Sequence, residues 1–331
     1  MKPDPAIVLD LIEAFRRSKT MFVATSLGVF DMLAQGPASA GELAARLKAD
    51  LSALTRLLDG CAGLGLLDKH EGRYANTPVA HTYLLRHSPD TLAGYILYSN
   101  AALYPMWGHL EEAVKEGTNR WSQTFGGDKP VFEHFFRTDE AMQEFLLGMH
   151  GFGQLCSPSV VSAFDLSRFK RLVDLGGGTG HLALAAAARY SHLRTAVFDL
   201  PRVIGYARRF VDDRVELIEG DFFADELPGA DLYALGRIVH DWSEPKIRLL
   251  LAKIYAALPA GGALLIGEKL VNPGHDGPVP ALMQSLNMLV CTEGRERSLD
   301  EYRALLEEAG FARVEGKLTG TPLDAVLATK A

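Results

Sequence analysis

Residues 171–188 read RLVDLGGGTGHLALAAAA, an apolar run that ends in a glycine-rich loop and continues into an alanine-rich helical pattern. The short apolar runs RTAVFDL, RVELIEG, DLYALGR and GALLIGE follow, with helical segments between them. Repeated β–α units of this kind predict a parallel sheet with helices on both faces. A helix capped by Ser298 and Glu301 comes next, and apolar stretches at 314–318 and 325–329 predict a terminal antiparallel hairpin.

The glycine loop itself predicts a nucleotide pocket. Gly176, Gly178 and Gly180 stand at alternate positions where the first strand ends. Glycines let the backbone turn sharply and approach a ligand closely, and open α/β sheets bind nucleotides at these strand ends. A dinucleotide fingerprint starting at Gly176 requires glycine or alanine at position 181, where this chain has His181. The loop therefore fits NAD poorly.

Acidic residues stand at the ends of three successive strands. Asp174 precedes the glycines, and Asp199 ends the second strand about 20 residues later, where an acid can accept hydrogen bonds from ribose hydroxyls. Asp221 follows the third strand and can accept from an adenine amino group, while Phe222 can pack on the ring. Asp199 alone could be a helix cap and Asp221 alone a turn residue, but the three acids together favour an adenosine site.

The composition indicates a globular protein whose partner is a small molecule. The chain has 331 residues, of which 48% are apolar and 23% charged, which is ample material for a buried core. Its formal charge of −7 disfavours nucleic acid and anionic membranes as partners. Three widely spaced cysteines without a CxxC pattern suit a reducing compartment, so we expect a cytoplasmic protein.

The N-terminal part has a helical pattern instead. Ser39 and Glu42 form a capping box, a longer helix is expected to begin at Ser52, and a hairpin is expected to turn at Glu71-Gly72. Short helix, longer helix and hairpin is the order of a winged helix. Across it, five Lys/Arg balance five Asp/Glu, so DNA binding is disfavoured and a dimerisation module is favoured, because a symmetric partner can bury surplus apolar positions.

The chain resembles the plant-type S-adenosylmethionine (SAM)-dependent O-methyltransferases, most closely the acetylserotonin O-methyltransferase branch. The resemblance rests on the stretches TAVFDLP, EGDFFADELPGADLYALGRIVHDW, ALPAGGALLIGE, SLNMLVCTEGRERS and EEAGF, and it covers nearly the whole chain. It implies a class I methyltransferase (Rossmann-like) fold with a seven-stranded sheet and an N-terminal winged-helix dimerisation domain. It also implies a homodimer, SAM as cofactor, S-adenosylhomocysteine as its product, and a small hydroxylated acceptor.

By the same resemblance, the chain divides into a dimerisation domain (residues 1–95), a helical linker that contributes to the substrate pocket (96–165) and a catalytic domain (166–331). His240 is implied as the general base, flanked by Glu268 and Glu296, and no metal ligand is implied. The implied cofactor contacts are Gly176, Gly178, Asp199, Asp221, Phe222 and Arg237. The implied substrate pocket contains Phe136, Phe145, Met149, Phe152, Asn287 and Cys291.

The chemistry of methyl transfer explains the need for a histidine. Displacement of a methyl group from a sulfonium requires an oxygen nucleophile that is relieved of its proton. A phenol with a pKa of about 10 is mostly protonated at neutral pH, whereas a histidine can accept its proton. A carboxylate on the other ring nitrogen fixes the tautomer, and either Glu268 or Glu296 can supply it. Asp241 has no comparable task and is expected to cap the helix that starts near Ser243.

Two departures from the acetylserotonin branch concern the acceptor. Cys291 stands where a glutamine is expected, and Leu323 where a tyrosine is expected. Both changes remove polar groups, so we expect a less polar acceptor of aromatic or polyketide-like character.

Two alternative functions remain open. One is a relative with a changed reaction, C-methylation or hydroxylation, in which His240 and Asp241 supply two ligands to an iron whose third ligand is not evident. The other is a SAM- or metabolite-responsive winged-helix regulator, which the neutral module disfavours.

Overall fold

The computed structural model describes residues 2–331. It contains two compact units, the described chain up to Tyr104 and the segment Pro105–Ala331. The domain boundaries expected after residues 95 and 165 stay predictions. None of the helices in residues 2–331 combines the length and the apolar character needed to span a lipid bilayer.

The first unit contains six α-helices, a π-helical segment at Ser99–Leu103 and a small sheet. The helices are α1 Ala6–Ser26, α2 Val29–Met32, α3 Ala40–Leu47, α4 Leu51–Gly63, α5 Pro78–Tyr83 and α6 Ala93–Tyr98, and the strands are β1 Ala38–Ser39, β2 Leu67–His70 and β3 Arg73–Asn76. The strands pair antiparallel in the order β1-β3-β2. The hairpin turns at Glu71 and Gly72, whose φ angles of 48° and 76° suit a tight turn. The predicted hairpin and the predicted helix order are confirmed.

One of the two predicted helix starts in this unit is wrong. Ser39 caps α3 as expected, since its hydroxyl accepts from the Glu42 amide and the Glu42 carboxylate accepts from the Ser39 amide. The cap of α4 is Asp50, whose carboxylate accepts from the amide of Ala53 at 2.8 Å, and not Ser52. The carboxylate of Asp50 accepts a hydrogen bond from a free amide of the first turn, and its negative charge is favourable at the positive end of the helix. The helix therefore begins after Asp50.

Helix α1 exposes an apolar face. Six of its large apolar side chains are each more than half exposed: Ile7, Val8, Leu9, Leu11, Ile12 and Phe15. A contiguous exposed patch of this kind marks an interaction surface. It agrees with the surplus of apolar positions from which we predicted a symmetric partner.

The second unit is built on a seven-stranded sheet. From Tyr104 onward the helices are α7 Tyr104–Trp107, α8 Leu110–Glu116, α9 Trp121–Phe125, α10 Val131–Phe135, α11 Asp139–Ser162, α12 His181–Arg189, α13 Pro201–Ala207, α14 Glu244–Ala257, α15 Val279–Cys291 and α16 Leu299–Glu308. The strands are β4 Arg171–Leu175, β5 Arg194–Asp199, β6 Val215–Glu219, β7 Leu232–Gly236, β8 Ala263–Glu268, β9 Arg313–Lys317 and β10 Asp324–Thr329. The order is β6-β5-β4-β7-β8-β10-β9. The first five are parallel, and β10 pairs antiparallel with both β8 and β9, so the predicted sheet and terminal hairpin are confirmed.

The strands direct alternate side chains into two buried clusters, as strands covered on both faces must. In β8, Leu264 and Ile266 pack in one cluster, and Ala263 and Leu265 pack in the other. The first cluster includes residues of α14 and α16, and the second includes residues of α11 and α12. The sheet is therefore a middle layer between helices.

The carboxyl edge of the sheet gathers the polar residues. Strand β4 lies between β5 and β7, so the strand order reverses there. Open α/β sheets bind ligands in the crevice outside the carboxyl ends of the strands at such a point. The residues at or just after these ends are the glycine loop, Asp199, Asp221, Arg237 and Glu268.

Candidate active site

The glycine loop needs glycine for two separate reasons. Gly176, Gly178 and Gly180 have φ angles of 68°, 56° and 80°, in the left-handed region that favours glycine. A Cβ on Gly176 would also lie 2.7 Å from Cδ1 of Ile238 and 3.1 Å from Cε1 of Phe222. The loop therefore packs directly on the segments that follow β6 and β7.

Asp199 is bonded to this loop. One carboxylate oxygen accepts from the amide of Gly178 at 2.8 Å, and the other accepts from the amide of Leu200 at 2.7 Å. Burial raises the pKa of Asp199 to about 6, although these two amide donors oppose the rise. The predicted cofactor residues Gly178 and Asp199 are thus in direct contact.

Asp174 is an acid without a cation beside it. It is buried, and neither carboxylate oxygen forms a hydrogen bond of ordinary geometry within the described residues. Burial, and then the charge of Asp199, raises its pKa to about 8. A Cβ on Gly177 would lie 2.6 Å from one of its oxygens. A crevice with buried acids suits a ligand that carries hydroxyl donors and positive charge, as SAM does.

Arg237 turns the chain after β7. Its φ is 59°, a left-handed conformation that costs a non-glycine residue roughly 1–3 kcal/mol. Its amide donates to the carbonyl of Gly267 at 3.0 Å, and its guanidinium lies 4.5 Å from the ring centre of Phe152. This turn leads directly into a 3₁₀ turn, Val239–Asp241, which carries His240.

His240 is held by two different acids at two different points. Its ring nitrogen Nδ1 lies 2.6 Å from Oε1 of Glu296, and its backbone N–H donates to Oε1 of Glu268 at 3.1 Å. Glu296 therefore contacts the imidazole, whereas Glu268 contacts the backbone that carries it. All three side chains are buried.

The acids make His240 a stronger base than usual. Burial alone lowers the pKa of His240, but the charges of Glu296, Glu268 and Asp241 outweigh burial and raise it to about 9. Burial also raises the pKa of Asp241, to about 7, against the opposing charges of His240 and Arg237. The site thus holds several groups whose protonation changes between neutral and alkaline pH.

The predicted capping role of Asp241 is wrong. The cap position of α14 is Ser243, and Asp241 is folded back by the 3₁₀ turn, so its Oδ1 lies 3.6 Å from Nε2 of His240. Its side chain is 13% exposed. Asp241 therefore lies next to Nε2 of His240, the ring nitrogen that Glu296 does not contact. The sequence did not predict this contact, although His240 and Asp241 are neighbours in it.

Three of the predicted pocket residues lie on α11, at positions 145, 149 and 152. Phe145, Met149 and Phe152 are all half-buried, and their spacing puts them on one side of the helix. The ring of Phe136 lies 6.1 Å from that of Phe145, edge to face. Leu323 is buried in the core cluster against which Phe152 packs.

Asn287 and Cys291 on α15 are also in contact. The thiol of Cys291 donates to the carbonyl of Asn287 at 2.9 Å, and the amide oxygen of Asn287 accepts from the indole N–H of Trp107 at 2.9 Å. Burial, and then the charge of Asp241, raises the pKa of the Cys291 thiol. No sequence pattern indicates Trp107, because it lies 180 residues from its partner.

Aromatic rings surround this region. The ring of Phe132 on α10 stacks on Trp242, which follows His240 and Asp241, at 4.9 Å between centres. Phe135 of the same helix lies 4.7 Å from Phe145 on α11. Helix α10 therefore packs both on the residue that follows the base-bearing turn and on the predicted acceptor helix.

The two helices α11 and α12 tie the predicted acceptor pocket to the glycine loop. Nδ1 of His150 is hydrogen-bonded to the Thr179 hydroxyl at 2.8 Å, and Nδ1 of His181 is hydrogen-bonded to the Ser157 hydroxyl at 2.9 Å. The ring of His181 occupies the space beside Gly153, where a Cβ would lie 2.4 Å away. Burial lowers the pKa of His181 to about 3, so this ring is neutral.

His240, Glu268 and Glu296 each offer one atom within 4.8 Å of the other two, which is close enough to raise the question of a metal ion. However, the nearest pair of these groups is already hydrogen-bonded at 2.6 Å, and both oxygens of Glu268 accept hydrogen bonds, from the His240 amide and the Tyr302 hydroxyl. Asp241 is not in this group. The geometry favours a hydrogen-bonded base over the iron site considered from the sequence.

Comparison with known proteins gives matches along most of the chain. The profile of an O-methyltransferase domain matches residues 107–312, and that of an O-methyltransferase dimerisation domain matches residues 9–86. The chain is 42% identical to acetylserotonin O-methyltransferase of Gallus gallus, over 98% of this chain and 97% of that protein.

Two solved structures are similar in fold over the whole chain. Human N-acetylserotonin methyltransferase in complex with SAM has a TM-score of 0.96 and 38% identity, covering 100% of this chain and 99% of that one. PigF with SAH has a TM-score of 0.90 and 28% identity, covering 99% of this chain and 100% of that one.

The contact between Gly153 and His181 predicts an effect on stability. A Gly153→Ala substitution would force the ring of His181 to move, and we expect it to lower the free energy of unfolding by about 1–3 kcal/mol. Chemical denaturation would measure this. Gly205→Ala is the matched control, because a Cβ there meets no atom within 4 Å. A Gly153→Ala/His181→Ala double variant should recover most of the lost stability. Equal stability of Gly153→Ala and Gly205→Ala would contradict the contact.

Proposed function

The chain belongs to the SAM-dependent O-methyltransferase family, and we propose that His240 is the general base that takes the proton of the acceptor hydroxyl. The enzyme transfers a methyl group from SAM to oxygen on a small acceptor. The observation that carries the proposal is the contact of 2.6 Å between Nδ1 of His240 and Glu296, which leaves Nε2 for the acceptor. SAM, when bound, supplies an electrophilic methyl group on a sulfonium.

Each neighbour of the base has a distinct task in this proposal. Glu296 orients the imidazole through Nδ1 and stabilises the imidazolium after proton transfer, as an orienting carboxylate does in histidine catalysis generally. Glu268 fixes the backbone amide of His240. Asp241, 3.6 Å from Nε2, contributes negative charge where the positive charge develops.

We propose that SAM is held at the carboxyl edge of the sheet. The glycine loop lets the backbone approach the cofactor, Asp199 accepts from its ribose hydroxyls, and Asp221 and Phe222 take the adenine. This is supported by the bond between Gly178 and Asp199 and by the packing of Gly176 on Phe222. The residues proposed to hold SAM are Gly176, Gly178, Asp199, Asp221, Phe222 and Arg237.

We propose a hydroxylated aromatic acceptor whose remaining groups are less polar than those of N-acetylserotonin. The proposed pocket residues are Phe136, Phe145, Met149, Phe152, Asn287 and Cys291. The amide oxygen of Asn287 already accepts from Trp107, and Cys291 and Leu323 offer no strong acceptor. The pocket thus has few polar groups for an acetamide, and its aromatic rings suit a flat ring system.

The dimerisation domain supports a homodimer, which the exposed apolar face of α1 also favours. The three cysteines are free and buried, which supports the expected cytoplasmic location. The alternatives are disfavoured: the family is one of O-methyltransferases, and a regulator would have no need of a buried His–Glu pair.

Removal of the base tests its role. We expect His240→Ala to lower kcat by at least about a hundredfold, as loss of a general base does, while calorimetry finds SAM affinity within about threefold of wild type. His70→Ala, at an exposed position of β2, is the control and should keep full activity. Turnover of His240→Ala at the wild-type rate would overturn the assignment.

The pKa of His240 predicts the pH dependence. Because the base acts in its neutral form, kcat/KM for SAM, which reports the free enzyme, should rise with pH up to about 9 and then level off. Glu296 contributes the largest charge that raises this pKa, so Glu296→Gln should move the acid limb to lower pH and reduce the plateau. A limb at the same pH in both proteins would show that His240 is not the titrating group.

An acceptor screen tests the proposed specificity. With labelled SAM, we expect apolar phenols and hydroxylated polyketides to have a kcat/KM at least about tenfold above that of N-acetylserotonin, because its polar acetamide would be left without partners. Mass spectrometry and NMR of the products would locate the new methyl group on oxygen or on carbon. Methylation of N-acetylserotonin alone would reject the less polar pocket.

A further inference from the structure

Glu268 has hydrogen bonds on both oxygens, and neither involves the imidazole. Oε1 accepts from the backbone N–H of His240 at 3.1 Å, and Oε2 accepts from the hydroxyl of Tyr302. Glu268 ends β8, and Tyr302 lies on α16 in the core cluster that covers one face of the sheet. A direct chain of contacts thus runs from α16 through Glu268 to the turn that carries the proposed base.

We propose that Tyr302 is a positioning residue for methyl transfer: its hydroxyl donates to Oε2 of Glu268 and so keeps Oε1 aimed at the backbone N–H of His240. This rests on the proposed role of His240 as the base. Tyr302 does not touch the reacting atoms and acts only through Glu268. Among the described residues, its hydroxyl links the C-terminal helix α16 to the active site.

Glu268 needs such a donor because its surroundings oppose its charge. Burial raises the pKa of Glu268, and the charge of Glu296 acts in the same direction, whereas the charge of His240 and the hydrogen bonds from Tyr302 and the His240 backbone lower it. The buried guanidinium of Arg297 is also near, on the loop before α16, but its hydrogen bonds go to Glu244 and to the carbonyl of Arg295. The Tyr302 hydroxyl therefore gives Oε2 of Glu268 a side-chain hydrogen bond that Arg297 does not give.

The turn that presents His240 needs a fixed acceptor. It follows Arg237, whose φ of 59° is strained, and the N–H of His240 is buried. A protonated Glu268 is a weaker acceptor than a carboxylate, and a buried N–H without a good partner is destabilising. Without the Tyr302 hydroxyl, the hydrogen bond between Glu268 and the His240 amide would be weaker, and the position of Nε2 would be less fixed.

Tyr302→Phe tests this, because it removes one oxygen and leaves the buried ring packed. Loss of a hydrogen bond to a charged group changes a rate or an equilibrium constant by roughly tenfold. We therefore expect kcat to fall about tenfold, with little change in the affinity for SAM. Once Glu268 is more often protonated, its charge no longer raises the pKa of His240. The acid limb of the pH profile should therefore move to lower pH.

A matched control and a second variant separate positioning from stability. Tyr233→Phe removes the hydroxyl of another buried tyrosine. That hydroxyl donates to the carbonyl of Pro228 at 2.6 Å and not to Glu268, so this variant should leave the pH profile unchanged. Glu268→Gln should also lower kcat and shift the limb. In the Glu268→Gln background, Tyr302→Phe should add little, because both changes act through one contact.

NMR titration of the His240 ring in protein without acceptor gives a readout that does not depend on turnover. We expect the pKa of His240 to fall in Tyr302→Phe and in Glu268→Gln, and to stay at the wild-type value in Tyr233→Phe. A wild-type pKa and pH profile in Tyr302→Phe, or additive effects in the double variant, would overturn the proposal. Full activity of His240→Ala would instead reject the general base, and the NMR result would still decide whether Tyr302 acts on Glu268.

Discussion

The hydrogen bond between His240 and Glu296, 2.6 Å long and buried, is the interaction on which the site depends. Charged groups lose their hydration when they are buried, and they remain charged only where partners replace the water. Here the partners come from separate parts of the chain: Glu268 from β8, Glu296 from the loop after α15, and His240 from the turn after β7. The architecture of the second unit can be understood as the means of bringing these groups together.

The sheet solves this problem through its carboxyl edge. Parallel strands end at the same edge, so residues that are distant in sequence become neighbours where β4, β5, β7 and β8 stop. The same edge carries the glycine loop, and α11 connects this loop to the proposed acceptor pocket through His150–Thr179 and Ser157–His181. His181 thus stands at the position where a dinucleotide-binding fold has glycine or alanine, and its ring packs on Gly153. A small residue in α11 makes room for it.

The sequence predicts what local patterns determine. Strand runs, the hairpin at Glu71-Gly72 and the box at Ser39 follow from residues within a few positions of each other, and they are confirmed. The cap at Asp50 was missed because two capping residues lie two positions apart and only backbone geometry decides between them. The contacts of Trp107 with Asn287 and of Tyr302 with Glu268 could not be predicted, since each joins side chains from distant elements. The resemblance supplied the two acids around His240, but three-dimensional geometry was needed to see that one contacts the ring and the other the backbone.

The cluster of acids also bears on how His240, as the proposed base, would accept a proton from a phenol. Proton transfer is most favourable when donor and acceptor have similar pKa values, and a phenol near 10 is poorly matched by an ordinary histidine near 6.5. With a pKa of about 9, His240 is close to the phenol, at the cost of being protonated in much of the free enzyme at neutral pH. A cation that binds nearby opposes the protonated ring and lowers this pKa. The sulfonium of SAM is such a cation, so SAM bound at the proposed site would lower the pKa of His240 and favour the neutral form that acts as the base.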